Sequence, residues 1–178
     1  MPLGETDGSM GGFTLLILAR WWVGANTVAA MAVSDSKEVV IEASPDQVLD
    51  VIADVESSPK YMSSQQSAEI VDTDDDGRPR QVRMKIKSAG ISDDILLEYT
   101  FAGDVVTWSL VSAKQLKRQD GKYTLTPEGD TTRVKFELTV DLSVPLPGFI
   151  LKQAIKGAMK DGTDGLRRYV VSVKKGGR

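Results

Sequence analysis

The most constraining feature of this sequence is a change in the spacing of its apolar residues near residue 148. Between residues 68 and 142, apolar side chains alternate with charged or hydroxylated ones, which is typical of antiparallel strands with one apolar face. From Phe149 to about Val173 the spacing becomes helical, which predicts one helix roughly 38 Å long. The chain must therefore bury one face of a sheet against one long helix.

Turn and cap signals divide the chain into elements. The hairpin turn signals are Asp74–Gly77, Ala102–Asp104 and Pro127–Asp130. Lys37–Ala43 is predicted to be a strand. Ser44-Pro45-Asp46-Gln47 then predicts a helix that begins with a capping box, and Ser58-Pro59 ends that helix before one more short turn.

These elements predict an α+β domain. We expect a curved antiparallel sheet of six to seven strands that wraps around the long C-terminal helix, with two short helices after the first strand. The apolar face of such a sheet is larger than one helix can cover. This mismatch predicts an internal cavity.

Two residue types are missing from the chain, which contains no His and no Cys. Their absence excludes a Ser-His-Asp triad, a thiolate nucleophile, imidazole metal ligands, cysteine zinc sites and iron–sulfur clusters. The chain has a net charge of −3, whereas nucleic-acid-binding domains are usually basic. We therefore expect no metal, no cofactor and no nucleic acid, and the lack of Cys fits a cytoplasmic location.

The beginning of the chain differs from the rest. Residues 1–36 are expected to be a disordered or mis-started extension, residues 37–174 the functional domain and residues 175–178 a tail. The apolar run at residues 13–19 is shorter than the ~20 residues of a membrane span. Residues 13–32 also allow export or membrane anchoring, but Arg20 interrupts the run, and Met31 is a natural alternative start.

Several short segments occur in an order that resembles a known superfamily. They are Ile41–Val48, Ile52–Asp54, Ser58–Tyr61, Gly77–Pro79, Glu98–Tyr99, Val106–Leu110, Gly121–Tyr123, Thr132–Val134 and Val144–Phe149. Together they resemble the SRPBCC, START-like superfamily over about residues 37–174, and most of all its polyketide cyclase/dehydrase and lipid-transport family, which includes coenzyme-Q-binding-like members. The resemblance implies a helix-grip fold and a binding module for a hydrophobic small molecule or lipid.

The side chains predicted to line the cavity share the inward parity of their strands, the inner face of the helix or a loop–helix junction. They are Tyr61, Met84, Ile86, Leu97, Tyr99, Phe101, Trp108, Leu110, Tyr123, Phe136, Leu138, Phe149, Ile155 and Met159. Tyr99, Trp108 and Tyr123 also carry polar groups that can orient a polar head. Tyr61, Met62 and Phe149 are expected at the mouth of the cavity, or simply to latch the short elements to the rest of the fold. The alternative is that these residues fill a solid core.

Three functions remain open at this point, and no catalytic residue is assigned. The preferred function is binding or transport of a hydrophobic ligand. A second is cyclisation or dehydration of a polyketide-like substrate, with Tyr99 and Tyr123 as acids or hydrogen-bond donors. A third is a ligand-free module for protein interaction. The sequence leaves enzymatic activity uncertain, leans against it, and does not determine the oligomeric state.

Three charged patterns have a functional and a plain interpretation. Lys152, Lys156 and Lys160 form a row suited to transient contact with acidic lipid headgroups, or simply the solvated face of the helix. Asp72–Gly77 begins like a calcium loop but has Arg83 where a Glu is needed, which favours a hairpin turn. Asp93-Asp94 with Glu98 offers carboxylates for acid–base chemistry, although a solvated strand start is favoured.

Overall fold

The structure, a computed structural model, describes residues 32–177. The predicted N-terminal extension up to residue 31, with most of the segment that allows export or anchoring, lies outside the described residues. Within residues 32–177, none of the helices combines the length and hydropathy needed to cross a bilayer.

The sheet has seven strands, all paired antiparallel, in the order β1-β7-β6-β5-β4-β3-β2. The strands are β1 Val33–Ile41, β2 Gln65–Thr73, β3 Pro79–Ser88, β4 Ile91–Ala102, β5 Val105–Ser112, β6 Leu116–Glu128 and β7 Thr131–Leu142. β2 to β7 form a meander, and β1 joins its far edge with Val33 opposite Val140. The predicted sheet is confirmed, although β1 begins before Lys37.

The predicted capping box is present at the first helix. α1 spans Pro45–Ala53; the Ser44 hydroxyl accepts from the Gln47 amide, and the Gln47 side chain accepts from the Ser44 amide. A 3₁₀ helix, Val55–Lys60, follows directly and contains Pro59. The two short helices expected after the first strand are therefore present. The expected boundary at Ser58-Pro59 was wrong, because the backbone already leaves helical geometry at Asp54 and Pro59 lies within the 3₁₀ helix.

The C-terminal helix is long and contains one irregular turn. α2 spans Gly148–Lys160, a π-helical turn spans Asp161–Gly165, and α3 spans Leu166–Gly176. A Cβ at Gly162 would lie 2.4 Å from the Phe136 ring, and one at Gly165 would lie 2.8 Å from the Tyr61 carbonyl oxygen. The two glycines therefore let the helix touch the sheet and the 3₁₀ segment at this turn.

The core lies between the concave face of the sheet and the C-terminal helix. Val82, Leu97 and Val134 are fully buried on the sheet side, and Leu166 is fully buried on the helix side. At the π turn the helix packs directly on the sheet, because Gly162 has no side chain to keep its backbone from the Phe136 ring. Along α2, on the N-terminal side of that contact, the apolar face of the sheet is not fully covered, and a cavity remains.

Candidate ligand-binding cavity

A cavity of about 120 Å³ lies between α2 and the concave face of the sheet. Its wall includes eight residues that were predicted to line it, namely Met84, Ile86, Leu97, Tyr99, Trp108, Phe136, Leu138 and Ile155. An apolar cavity of about 150 Å³ in another protein holds benzene. The space is therefore comparable to one aromatic ring, and the expected mismatch between sheet and helix is present.

A smaller space of about 30 Å³ lies behind the cavity. Tyr61 and Tyr123, both predicted to line the site, belong to this inner space. It shares Met62, Gln65, Tyr99, Trp108 and Phe136 with the wall of the larger cavity. The two spaces are thus neighbours across a common aromatic wall, and the inner one is about the volume that one water occupies in the liquid.

The aromatic wall is held together by stacked rings. Tyr99 and Trp108 are opposite residues on β4 and β5, and their ring centroids lie 5.4 Å apart. Phe136 stacks on Tyr123 at 4.7 Å and on Trp108 at 5.9 Å. Gly121 lies opposite Trp108 on β6, where a Cβ would come 2.0 Å from the indole. The indole therefore lies flat across β6 because that position is glycine.

The tyrosine hydroxyls at the inner space differ in their partners. The Tyr123 hydroxyl donates to the Gly162 carbonyl at 3.1 Å. The hydroxyls of Tyr61 and Tyr99 make no hydrogen bond within residues 32–177. Burial raises the pKa of all three phenols above its ordinary value, so they stay protonated at neutral pH. The Tyr61 and Tyr99 hydroxyls are thus free donors.

Two further polar side chains belong to the inner space. The Ser58 hydroxyl donates to the Gln65 side-chain carbonyl. Gln65 begins β2, which places its amide at the junction of the two spaces. The inner end of the site is therefore polar but carries no charge, whereas the body of the cavity is mainly apolar.

Four predicted residues do not reach either space. Phe149 is 68% exposed because it precedes Leu151 by two residues, which turns it by about 200° on the helix. Leu110 follows Trp108 on β5 at a point where β5 no longer pairs with β6, and it lines neither space. Phe101 is half-buried beneath the Arg78 guanidinium. Met159 is buried in the core instead.

The sequence analysis missed many of the lining residues. They are Ser64, Gln65, Ser88, Ala89, Ile91, Leu116, Gln119, Val140, Leu142, Leu146, Leu151, Ala154 and Ala158. Met62, which was expected at the mouth, lines both spaces. Val140 and Leu142 continue the inward parity of Phe136, and Leu151 and Ala158 share the helix face of Ile155, so the same pattern identifies them. That any of these residues binds a ligand stays a prediction.

The two acidic motifs have structural roles. Asp93 is buried, and its carboxylate accepts hydrogen bonds from the amides of Lys114 and Gln115, which ties β4 to the β5–β6 connection. Its favoured interpretation as a solvated strand start was wrong, because β4 already begins at Ile91 and turns Asp93 inward. Glu98 is exposed on the opposite face of β4, so the two carboxylates do not meet.

The Asp72–Gly77 segment is the predicted hairpin turn between β2 and β3. The Asp74 carboxylate accepts from the amides of Asp76 and Arg78, and Asp72 pairs with Arg80. Among the described residues, no group of three or more acidic side chains is arranged to hold a metal ion.

A curved antiparallel sheet that grips a C-terminal helix, with an apolar cavity between them, defines the helix-grip class of hydrophobic-ligand-binding folds. Residues 32–171 match the family described as polyketide cyclase/dehydrase and lipid transport. The chain belongs to this family. No curated protein matches it significantly.

Solved structures share the fold at low sequence identity. A START superfamily protein from Mycobacterium smegmatis has 22% identity and a TM-score of 0.72, over 79% of this chain and 98% of that one. A protein from Thermus thermophilus has 22% identity and a TM-score of 0.67, over 79% and 99%. The Zhui aromatase/cyclase from Streptomyces sp. R1128 has 13% identity and a TM-score of 0.67, over 79% and 94%.

Proposed function

We propose that this protein binds a hydrophobic small molecule in the cavity between α2 and the sheet. The observation that carries the proposal is the apolar space of about 120 Å³ beneath α2. Family membership supports it, because the family includes lipid transport in its description. Transfer of apolar surface from water into such a space supplies the driving force.

Filling the cavity tests this proposal. Ala158 lies on the inner face of α2, so Ala158→Trp places an indole in the cavity. Unfolding of the full chain is followed with butylbenzene, naphthalene or a medium-chain alcohol. At a concentration 100 times its Kd, a ligand raises the free energy of unfolding by about 2.7 kcal/mol. We expect this gain for the wild type and its loss in A158W.

Gln153→Trp is the matched control, because Gln153 is exposed on the outer face of the same helix. Q153W adds the same side chain without filling the cavity, and we expect it to respond like the wild type. A wild type that none of the ligands stabilises, or an A158W variant that gains as much as the wild type, would contradict the proposal.

A second candidate is the cyclase or dehydratase function. The free, protonated hydroxyls of Tyr61 and Tyr99 favour it, since a donor at a carbonyl oxygen can promote enolisation and ring closure. The role expected for Tyr123 changes, because its hydroxyl already donates to Gly162. If this candidate holds, Tyr99→Phe lowers turnover of a polyketide-like substrate and Tyr169→Phe does not. Unchanged turnover in Y99F would remove Tyr99 from the mechanism.

The third candidate, a ligand-free interaction module, predicts a solid core and a large apolar surface patch. The cavity beneath α2 does not fit that expectation.

We also propose a cytoplasmic location, which rests on the absence of Cys from the whole chain. Labelling with a fluorescent fusion and fractionation of the native cell would test the location, and recovery from the membrane or exported fraction would contradict it.

We further propose that α2 makes transient contact with anionic membranes when ligand enters or leaves. Phe149, Lys152, Lys156 and Lys160 are exposed and fall within a sector of roughly 80° on the outer face of the helix. An aromatic ring followed by a row of ammonium groups suits an interface with acidic headgroups. Phe149, which was expected in the cavity, thus lies on the same exposed face as the three lysines.

Vesicle binding tests this contact. The full chain is expected to sediment with vesicles that contain phosphatidylserine, and each lysine near the surface contributes about 1 kcal/mol. We expect Lys152→Glu/Lys156→Glu to lose this binding. Arg168→Glu/Lys175→Glu on α3 changes the charge equally and serves as the control. Equal binding to pure phosphatidylcholine, or an equal loss in both variants, would contradict the contact.

A further inference from the structure

The charge of the cavity wall constrains which ligands it can take. Residues from β2 to β7, the 3₁₀ helix, α1 and α2 line the two spaces, and none of them is Asp, Glu, Lys or Arg. An ionised group that enters a mainly apolar space loses its hydration and finds no opposite charge there. The wall therefore disfavours carboxylates, phosphates and ammonium groups.

The polar groups at the inner end define what the wall does accept. The hydroxyls of Tyr61 and Tyr99 have no partner among residues 32–177, and Gln65 presents an amide at the junction of the two spaces. These hydroxyls face the cavity space, and neither is a fully buried atom without a partner. A ligand that displaces water from such a donor must replace the lost hydrogen bond, and a neutral oxygen acceptor does so without bringing a charge. Because burial raises the pKa of Tyr99, its proton remains available for donation.

From this arrangement we propose that the cavity takes an uncharged ligand that bears a ketone or similar neutral oxygen. The apolar body lies beneath α2, and the oxygen accepts a hydrogen bond from Tyr99 at the inner end. The inference rests on the proposed binding function and adds the chemical class and the orientation of the ligand. An anionic head is disfavoured at the inner end, so a ligand that carries one gains no hydrogen bond from Tyr99.

Three probes with nearly the same body separate these possibilities. They are 4′-butylacetophenone with a neutral ketone, 4-butylbenzoate with an anionic head at pH 8, and butylbenzene with no head. Calorimetric titration of the full chain gives the Kd of each probe. We expect the ketone to bind at least tenfold more tightly than the benzoate and more tightly than butylbenzene.

Tyr99→Phe tests the orientation. We expect it to weaken ketone binding at least fivefold, to the level of butylbenzene, and to leave butylbenzene binding unchanged, which also shows that the cavity is intact. Tyr169→Phe is the control, because the Tyr169 hydroxyl lies outside both spaces and contacts Lys60 at 3.4 Å.

The outcomes separate this inference from the function on which it rests. Benzoate binding as tight as ketone binding, or equal ketone affinity in Y99F and the wild type, would overturn the neutral-head inference and leave the binding function standing. Failure of all three probes, butylbenzene included, would overturn both.

Discussion

At the residue scale, glycine decides where the C-terminal helix and the sheet can touch. Gly162 faces Phe136 and receives the Tyr123 hydroxyl at its carbonyl oxygen. Gly157 lies one and a half turns earlier and has no heavy atom within 4 Å of a built Cβ. A side chain at these two positions is therefore expected to change stability in opposite directions, although both glycines lie in helical segments.

Gly162→Ala and Gly157→Ala give the corresponding prediction. At Gly162 the new methyl overlaps the Phe136 ring at 2.4 Å, and we expect a loss of about 1–3 kcal/mol in the free energy of unfolding. At Gly157 the same change meets open space, and the higher helix propensity of Ala stabilises by up to about 1 kcal/mol. Denaturant unfolding measures both. Similar effects of the two substitutions would contradict the close contact at Gly162.

Single residues also show what the sequence can and cannot predict. Parity along β4 and β7 predicts an inward orientation for Leu97 and Phe136, and both side chains line the cavity. Gln65 and Gln119 were missed because a hydrophobic pattern ignores polar side chains that point inward. Phe149 was placed inside because it is apolar, whereas the phase of the helix relative to Leu151 turns it outward.

At the scale of elements, charged pairs fix the last part of the helix to β1. Glu42, just after β1, accepts from the Arg167 guanidinium at 2.9 Å, and the Lys174 ammonium donates to the Glu42 carbonyl at 3.0 Å. Lys37 on β1 pairs with Asp164 of the π turn at 2.7 Å. These contacts hold the C-terminal helix along the edge strand.

Acid should release the Glu42 contact. The hydrogen bond from Arg167 lowers the pKa of Glu42 from 4.5 to about 2. A carboxylate whose pKa is lowered by folding stabilises the protein above its unfolded pKa, and this stabilisation disappears as pH falls through the folded pKa. We expect Glu42→Gln to be less stable than the wild type at neutral pH, and the difference to shrink between pH 4.5 and 2.

Unfolding midpoints measured across this pH range check the prediction. Glu69→Gln serves as the control, since Glu69 is exposed on β2 and forms no ion pair within the described chain. A stability gap between E42Q and the wild type that does not change with pH would contradict the role of the carboxylate charge.

The elements themselves were largely predictable, whereas the irregular helix turn was not. The capping box at Ser44 and the alternation of β7 are local signals that the structure confirms. The turn at Asp161–Gly165 depends on contacts with Phe136 and Tyr61, which are distant in sequence. Spacing along the chain shows helical periodicity there, but only the packed structure explains why the turn widens.

At the scale of the whole molecule, the cavity follows from a mismatch of surfaces. Seven strands present an apolar face to one helix, and the helix is held close to that face at Gly162 and close to the 3₁₀ segment at Gly165. The existence of the cavity was predictable from this mismatch. The polar inner end of the cavity was only partly predictable, because the free Tyr61 and Tyr99 hydroxyls depend on how the 3₁₀ helix and β4 come together.

The most direct test of the binding site is where a ligand contacts the protein. The full chain, labelled at its methyl groups, is mixed with 4′-butylacetophenone, and intermolecular nuclear Overhauser effects are recorded. We expect contacts from the butyl and ring protons to the methyls of Leu97 and Ile155, which line the cavity. Contacts only to the exposed methyls of Val111 or Val173, or no contacts at all, would contradict binding in the cavity.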